Sequence, residues 1–266
     1  MGVRDNEHLK VLKCKKCKFT FLNNNDHITE NHYQESKMHE NDLSMEKWIS
    51  ITKKDDLRRF NFLKNILRDK SVLDYGCGNG NFLELSKNLA YDISGIEVEE
   101  RILQHLGKRF SVYNNINKLK KNFDVITSFH VLEHLKDPIS KLKEIKKYLS
   151  PDGLLVIEVP NIDDVLIKTY KSNSFLDFTF WSNHLSYFNA SSLEQTLNLA
   201  GFTKKRIYQI QRYPLPNHLY WLFMKKPGGH QKWQFLSNNL FNKPYEYLLK
   251  SIKQCDTLLG IFSPNK

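Results

Sequence analysis

Apolar positions along this chain recur with two alternating periods. From Met45 to Leu67 the spacing of Leu57, Phe60, Leu63 and Leu67 is that of one helix face. A short apolar run, Ser71–Tyr75, follows and reads as a buried strand. The pair then repeats: helix 81–89, strand Ile93–Glu97, helix Glu99–Leu106, and strands at Phe110–Tyr113 and Phe123–Ser128. Asp137-Pro138 opens the next helix, an N-cap followed by proline where its missing N–H costs nothing. Ile139, Leu142, Ile145 and Leu149 line the buried side of that helix, and Ser150-Pro151-Asp152-Gly153 turns into a fifth strand, Leu154–Val159. Helix Ser191–Ala200 stops at Gly201, strand Thr203–Gln211 follows, and Cys255–Phe262 is expected to be the last strand. Strands alternating with helices predict an α/β fold, a doubly wound sheet with helices on both faces.

Three stretches break this rhythm. Residues 1–44 are polar with no clear period and form an N-terminal extension. Residues 160–190 are rich in aromatics and turn formers, an insertion in a core spanning 45–212. Residues 213–254, rich in Trp, Tyr and Asn, read as a helical cap, and 255–266 as the final strand and tail. A chain of 266 residues with 40% hydrophobic content suits one large domain with elaborations. No apolar run is long enough to span a bilayer, and the first residues lack an apolar signal region, so a cytoplasmic enzyme without a membrane partner is expected. Cys14, Cys17, Cys77 and Cys255 are too few for a disulfide scaffold. The net charge of +11 suits anionic small substrates or nucleic acid. Lys118, Lys120, Lys121, Lys141, Lys143, Lys146 and Lys147 sit beside apolar positions at helical spacing, which is the pattern of a solvated helix face. A small-molecule acceptor is therefore the expected partner rather than nucleic acid, with the oligomeric state left open.

The chemistry concentrates in Val72-Leu73-Asp74-Tyr75-Gly76-Cys77-Gly78-Asn79-Gly80. A buried strand, an acid at its end and three glycines at alternate positions place a bare backbone turn at the carboxyl edge of a sheet, where open α/β folds bind nucleotide-like ligands. The spacing is not the dinucleotide G-x-G-x-x-G, since Asn81 stands where the third glycine would be. Asp74 would repel a pyrophosphate and suits a ligand carrying an ammonium group. The segment resembles the first motif of class I S-adenosylmethionine-dependent methyltransferases, and the order of elements over 45–212 resembles their seven-stranded Rossmann-like sheet. That resemblance implies a cofactor site made of Asp74, Tyr75, Gly76, Cys77, Gly78 and Gly80. It implies Glu97 on the ribose hydroxyls, Val98 against the adenine, Asn115 and Ile116 near the adenine, and Ser128 and Phe129 along the methionine half. Members of the family often carry Asp where this chain has Asn115.

A second match is Val131-Leu132-Glu133-His134 with Asp137-Pro138, which looks like the "VLEH…DP" signature of a broad methyltransferase group with quinone-biosynthesis and sugar-modifying members. Pro151-Asp152-Gly153, His184 to Phe188 and Ala200-Gly201-Phe202 resemble later parts of its pattern. The resemblance implies methyl transfer from S-adenosylmethionine to a small polar acceptor, expected to be an oxygen of a sugar or of a phosphorylated, nucleotide-linked precursor of bacterial capsule or surface polysaccharide. An oxygen acceptor usually needs a base, and histidine suits that role near neutral pH. His130, at the end of the fourth strand, is the first candidate, and His184 in the aromatic insertion the second. His134 is a third, with a structural role at the loop as its other reading. Asn217 or His218 in the cap could meet a polar substrate. Quinone-pathway relatives imply a rival, metal-dependent site at His130, Glu133 and His134. Cys14 and Cys17 resemble half of a zinc ribbon. His27 and His32 could complete a ligand set, but a vestigial half-ribbon without zinc is the expectation. Nitrogen or carbon methylation, a nucleic-acid substrate and cofactor binding without turnover are the remaining alternatives.

Overall fold

In the computed structural model, which describes residues 1–29, 32 and 44–265, the polar N-terminus carries strands β1 (Gly2–Val3), β2 (Asn6–Lys13) and β3 (Thr20–Leu22). Helix α1 (Met45–Leu67) follows, started by Ser44, whose hydroxyl accepts from the Lys47 N–H. The core then alternates β4 (Ser71–Tyr75), α2 (Asn81–Ser86), β5 (Asp92–Ile96), α3 (Glu100–Leu106), β6 (Ser111–Tyr113), β7 (Phe123–Phe129), α4 (Pro138–Lys146) and β8 (Leu149–Pro160). Short helices α5 (Val165–Lys168) and α6 (Asn173–Thr179) lead to β9 (Ser186–Tyr187), α7 (Ala190–Leu199) and β10 (Phe202–Ile210). Helices α8 (Leu215–Met224), α9 (Gly229–Lys232) and α10 (Asn239–Ser251) precede β11 (Thr257–Pro264).

The main sheet has seven strands in the order β10-β11-β8-β7-β4-β5-β6. Strands β4 to β8 pair in parallel, while β11 pairs antiparallel with both β8 and β10. This is the mixed, Rossmann-like sheet expected from the alternation. Neighbouring residues of a strand point to opposite faces. So Leu73, Ile126 and Leu155 pack on one side, and Val72, Val125 and Val156 pack on the other with Leu63 and Leu67 of α1. The strand order reverses between β4 and β7, which sets the glycine turn after β4 at the sheet's crevice.

Three expectations are corrected. The N-terminal stretch is not aperiodic: β2 alternates, with Leu9 and Val11 buried between exposed neighbours. Its sheet continues through β3 to β9, so the extension and the 160–190 insertion share one set of backbone hydrogen bonds. On α1, Leu57 is 43% exposed, and the inward side carries Trp48, Asp56 and Arg59 ahead of Leu63 and Leu67. The middle of α1, at Asp56 and Arg59, faces a polar site and not the apolar core, and this shifts the face. The last strand begins at Thr257, because the backbone before it is used by side-chain partners: Gln209 accepts from the Cys255 N–H.

Leu73 is fully buried in the central strand between β5 and β7. Leu73→Ala should cost about 2–5 kcal/mol of unfolding free energy, read by urea titration followed by circular dichroism.

Candidate active site

Beyond β4 the chain turns through Gly76, Gly78 and Gly80, all at positive φ. At Gly76 (φ 80°) a Cβ would lie 2.3 Å from Val131 Cγ2, so the turn is closed against the loop after β7. At Gly78 (φ 50°) a Cβ would meet only the Trp48 ring, at 3.5 Å, and would fill space the fold leaves open under α1. Gly80 caps α2 and packs on Leu106. The open space belongs to a cavity of about 390 Å³ between the turn, α1 and the loops after β5 and β7. Trp48, Tyr75 and Phe129 supply aromatic walls, and Asp55, Asp56, Asp74, Glu97 and Glu99 supply carboxylates.

Two of these acids are placed by the strands themselves. Asp74, 2% exposed, accepts from the Thr127 hydroxyl at 2.7 Å, and burial pushes its carboxyl up to about 7. Glu97, after β5, accepts from the Gly78 N–H with one oxygen (2.9 Å) and from the Val98 and Glu99 N–H groups with the other (2.7 and 3.1 Å). Burial raises its pKa against those three hydrogen bonds. The carboxylate therefore ties the glycine turn to the start of α3.

The floor of the site is a buried ion network. Glu158 of β8 is fully buried and accepts from Arg58 (2.9 and 3.0 Å) and Arg59 (2.8 and 2.9 Å) of α1. Arg59 also donates to Asp56, and Arg58 to Asp55. Arg212, beyond β10, donates to Asp55 through Nε at 3.0 Å and places Nη1 3.2 Å from His130 Nε2. His130 itself sits at φ 55°, with Nδ1 3.1 Å from Glu133 and Nε2 3.3 Å from Glu158. Burial works against its charge, yet the hydrogen bonds to these two carboxylates raise its pKa above the ordinary histidine value. Glu133 is correspondingly held down to about 2, where burial alone would raise it and the His130 hydrogen bond lowers it.

His134 also lines this cavity. Its Nδ1 donates to the Asn183 carbonyl at 2.7 Å, and burial lowers its pKa. A carbonyl only accepts, so the neutral ring carries its lone pair on Nε2. The His184 ring lies edge-on, 4.8 Å away between centroids, and faces a second cavity of about 370 Å³. Burial drives the His184 pKa down to about 3. The second cavity is walled by Phe175, Phe178, Trp181, Tyr187 and Trp221, and Arg212 lines both cavities. Arg4 reaches it from the N-terminal sheet, its guanidinium 4.7 Å over the Phe178 ring and 5.1 Å over Trp181. Asn217 and His218 of α8 line the same chamber, with His218 Nδ1 2.8 Å from the Tyr245 hydroxyl.

Asp74, Tyr75, Gly76, Cys77, Gly78, Glu97, Val98, Phe129, His130 and His134 thus meet around one cavity. Gly80, Asn115, Ile116, Ser128 and His184 lie outside its lining. Asn115 is exposed and accepts from the Asn117 N–H as the cap of a short 3-10 helix, and Ile116 is buried in the apolar core. The hairpin turn between β2 and β3 carries Cys14 and Cys17. His27 does not turn to them: its Nε2 lies 2.8 Å from the Ser182 carbonyl, while His32 Nε2 lies 2.9 Å from Asn183 Oδ1. Periodicity missed Trp48, Arg58, Arg59, Glu158 and Arg212. One signal was present, a lone glutamate inside the apolar run Leu154–Val159, which a buried strand carries only if cations meet it.

The family profile described as a methyltransferase domain matches residues 45–206. A ubiquinone biosynthesis O-methyltransferase of Haemophilus ducreyi is 31% identical over 123 residues, 39% of this chain and 52% of that protein. A tRNA U34 carboxymethyltransferase of Campylobacter hominis is 33% identical over 119 residues, 40% of this chain and 42% of that protein. The chain spans about half the length of these curated relatives. The crystal structure of a SAM-dependent methyltransferase from Archaeoglobus fulgidus aligns over 81% of this chain and 99% of its own, with a TM-score of 0.57 and 20% identity, a likeness of fold. The glycine turn, the two carboxylates beside it and the matched sequence together place the chain in the class I S-adenosylmethionine-dependent methyltransferase-domain family.

Proposed function

We propose that this chain transfers a methyl group from S-adenosylmethionine to an oxygen of a small, polar, anionic acceptor, a sugar or a phosphorylated or nucleotide-linked precursor of a surface polysaccharide. The cavity beside the glycine turn fits the cofactor. It has open space over Gly78 where a Cβ would stand, Glu97 to accept from a ribose, and Asp74 to face a cationic amino-acid end. When bound there the cofactor supplies an electrophilic methyl on a sulfonium.

The observation that carries the acceptor reading is the second cavity. It adjoins the first across Arg212 and the His134–His184 pair, and it offers aromatic faces together with Arg4, with Asp164 and Asp256 elsewhere in its lining. Among the described residues no carboxylate forms an ion pair with Arg4, so its charge can serve an incoming anion. Flat aromatic walls suit the faces of a sugar ring or a base.

The proton of an acceptor hydroxyl needs a base with a lone pair. His130, the first candidate on sequence grounds, has both ring nitrogens engaged, Nδ1 by Glu133 and Nε2 by Glu158 and Arg212, which suits positioning rather than proton uptake. His134 is neutral, its tautomer is set by the Asn183 carbonyl, and its ring edges the wall between the two cavities. His134 is therefore the base in this reading, with His184 beside it on the acceptor side.

A specific observation favours a second reading, a metal-assisted transfer. Glu133, His134 and His184 bring three ligand atoms within 4.8 Å of one another. Glu133 Oε2 is buried and has no hydrogen-bond partner among the described residues. Mixed imidazole and carboxylate donors suit a divalent first-row ion.

Cofactor affinity should rise with pH. A cationic ligand favours the Asp74 carboxylate, so binding releases a proton where the unliganded group still holds it. Calorimetry should show binding tightening several-fold between about pH 6 and about pH 8, with the trend flattened in Asp74→Asn. With label on the methyl and a panel of nucleotide sugars, His134→Ala should lower kcat about 100- to 10,000-fold while cofactor affinity moves less than about threefold. An unchanged kcat would remove His134 from the chemistry. Titration of chelator-treated protein with Mn²⁺ or Zn²⁺ separates the two readings: heat of binding near one equivalent, lost in Glu133→Gln, supports the metal, and no heat supports the base alone.

A further inference from the structure

The cap inserted between β10 and β11 has an outer surface that the methyltransferase reading does not use. Along α10 the exposed residues Leu240, Phe241, Tyr247 and Leu248 fall on one helical stripe, at 100° per residue, and exposed Ile252 follows at the helix's C-cap. The inward face of the same helix is separate and carries Leu249 and Tyr245. Phe223 and Met224 at the end of α8, and Phe235 and Leu236 before α10, add four more exposed apolar side chains. Phe235 is 79% exposed, Tyr247 76%, Leu240 72% and Phe223 71%, and it is their clustering in one insertion that sets them apart from single exposed residues elsewhere. No helix among the described residues is long and apolar enough to cross a membrane, so this is a surface feature and not a span.

Charge indicates the occupant. From Phe223 to Lys253 the sequence holds Lys225, Lys226, Lys232, Lys243, Lys250 and Lys253 against a single acid, Glu246, which is paired with Lys250 at 2.6 Å. Lys243 and Lys250 flank the α10 stripe on its Tyr247 side. An apolar stripe with aromatic residues and a lysine border is the design of a helix that lies in the headgroup layer of an anionic bilayer. A protein partner would need acids to meet these lysines, and a second copy of this chain would bring six more lysines to the same contact.

We infer that the 213–254 cap docks on anionic phospholipid surfaces through α10 and the ends of α8 and the segment before α10. This departs from the expectation of no membrane partner, and it stands whether or not the acceptor assignment holds. It also has a consequence for the second cavity. Helix α8 buries Asn217, His218 and Trp221 toward that chamber while Phe223 and Met224 face outward, so a docked bilayer lies behind the chamber's wall.

The test uses the full chain and sedimented vesicles of phosphatidylcholine, with or without about one-third phosphatidylglycerol. Anionic vesicles should carry the protein down at least about tenfold more strongly than neutral ones, and about 0.5 M salt should weaken this binding. The double variant Phe241→Ser, Leu248→Ser should raise the lipid needed for half-binding about tenfold, with unchanged helix content and unchanged cofactor affinity. Lys243→Glu with Lys250→Glu should abolish the preference for anionic lipid. Equal sedimentation with both vesicle types, no sedimentation, or undiminished binding by the apolar variant each overturns the inference. So does a dimer seen by light scattering that the apolar variant turns monomeric while vesicles bind neither form.

Discussion

One buried carboxylate organises this molecule. Glu158 sits near the C-terminal end of β8 with no solvent exposure, among Leu155, Val156, Ile157 and Val159. A bare carboxylate there would be prohibitive, and the fold answers it with two arginines of α1 and the imidazole of His130. Removing one member of such a buried set commonly costs about 3–5 kcal/mol because the others are left unbalanced. Helix α1 is therefore fixed to the sheet by charge in its middle and by Leu63 and Leu67 further on. Its position in turn sets Trp48 and Thr52 over the glycine turn, so the roof of the cofactor cavity depends on an acid that never touches that cavity.

The same network explains why two cavities meet where they do. Arg212 leaves β10 at the point where the cap begins, and its own N–H and that of Tyr213 donate to Asp256 just before β11. Its guanidinium then crosses to Asp55 of α1 and to His130. One side chain thereby joins the cap, the first helix and the end of β7. Four acids (Asp55, Asp56, Glu133, Glu158) face four bases (Arg58, Arg59, Arg212, His130), so the cluster is close to neutral. That balance holds His130 between opposing pulls: the Glu133 and Glu158 carboxylates raise its pKa, and the Arg212 guanidinium beside it works the other way.

The sheet was legible because its strands are apolar runs separated by amphipathic helices, and Asp74 and Glu97 were legible because they end two of those runs. Leu57 was misread because an apolar residue at helical spacing was assumed to face the core. The middle of α1 instead faces Glu158 and the cavity, so Arg59 took the inward place. β2 was missed because only Leu9 and Val11 carry its period, two positions being too few to see against six polar or exposed neighbours. Asn115 was placed at the adenine by resemblance alone, and its side chain is spent on a local cap. Arg212 could not be found from sequence at all: its partners are 157 and 82 residues away, and nothing local distinguishes it from other surface cations.

Net charge alone was the least informative quantity, because the fold sorts charge by place. The chain carries +11, yet the cavity by the glycine turn is lined by five carboxylates and by only two arginines, both already engaged with acids. A site of that sign attracts a cationic ligand and would hold a polyanion poorly. The surplus of lysines lies on outward helix faces and on the cap, while the second chamber sets Arg4 and Arg212 beside Asp164 and Asp256. The two chambers thus differ in character, the first acidic and the second of mixed charge.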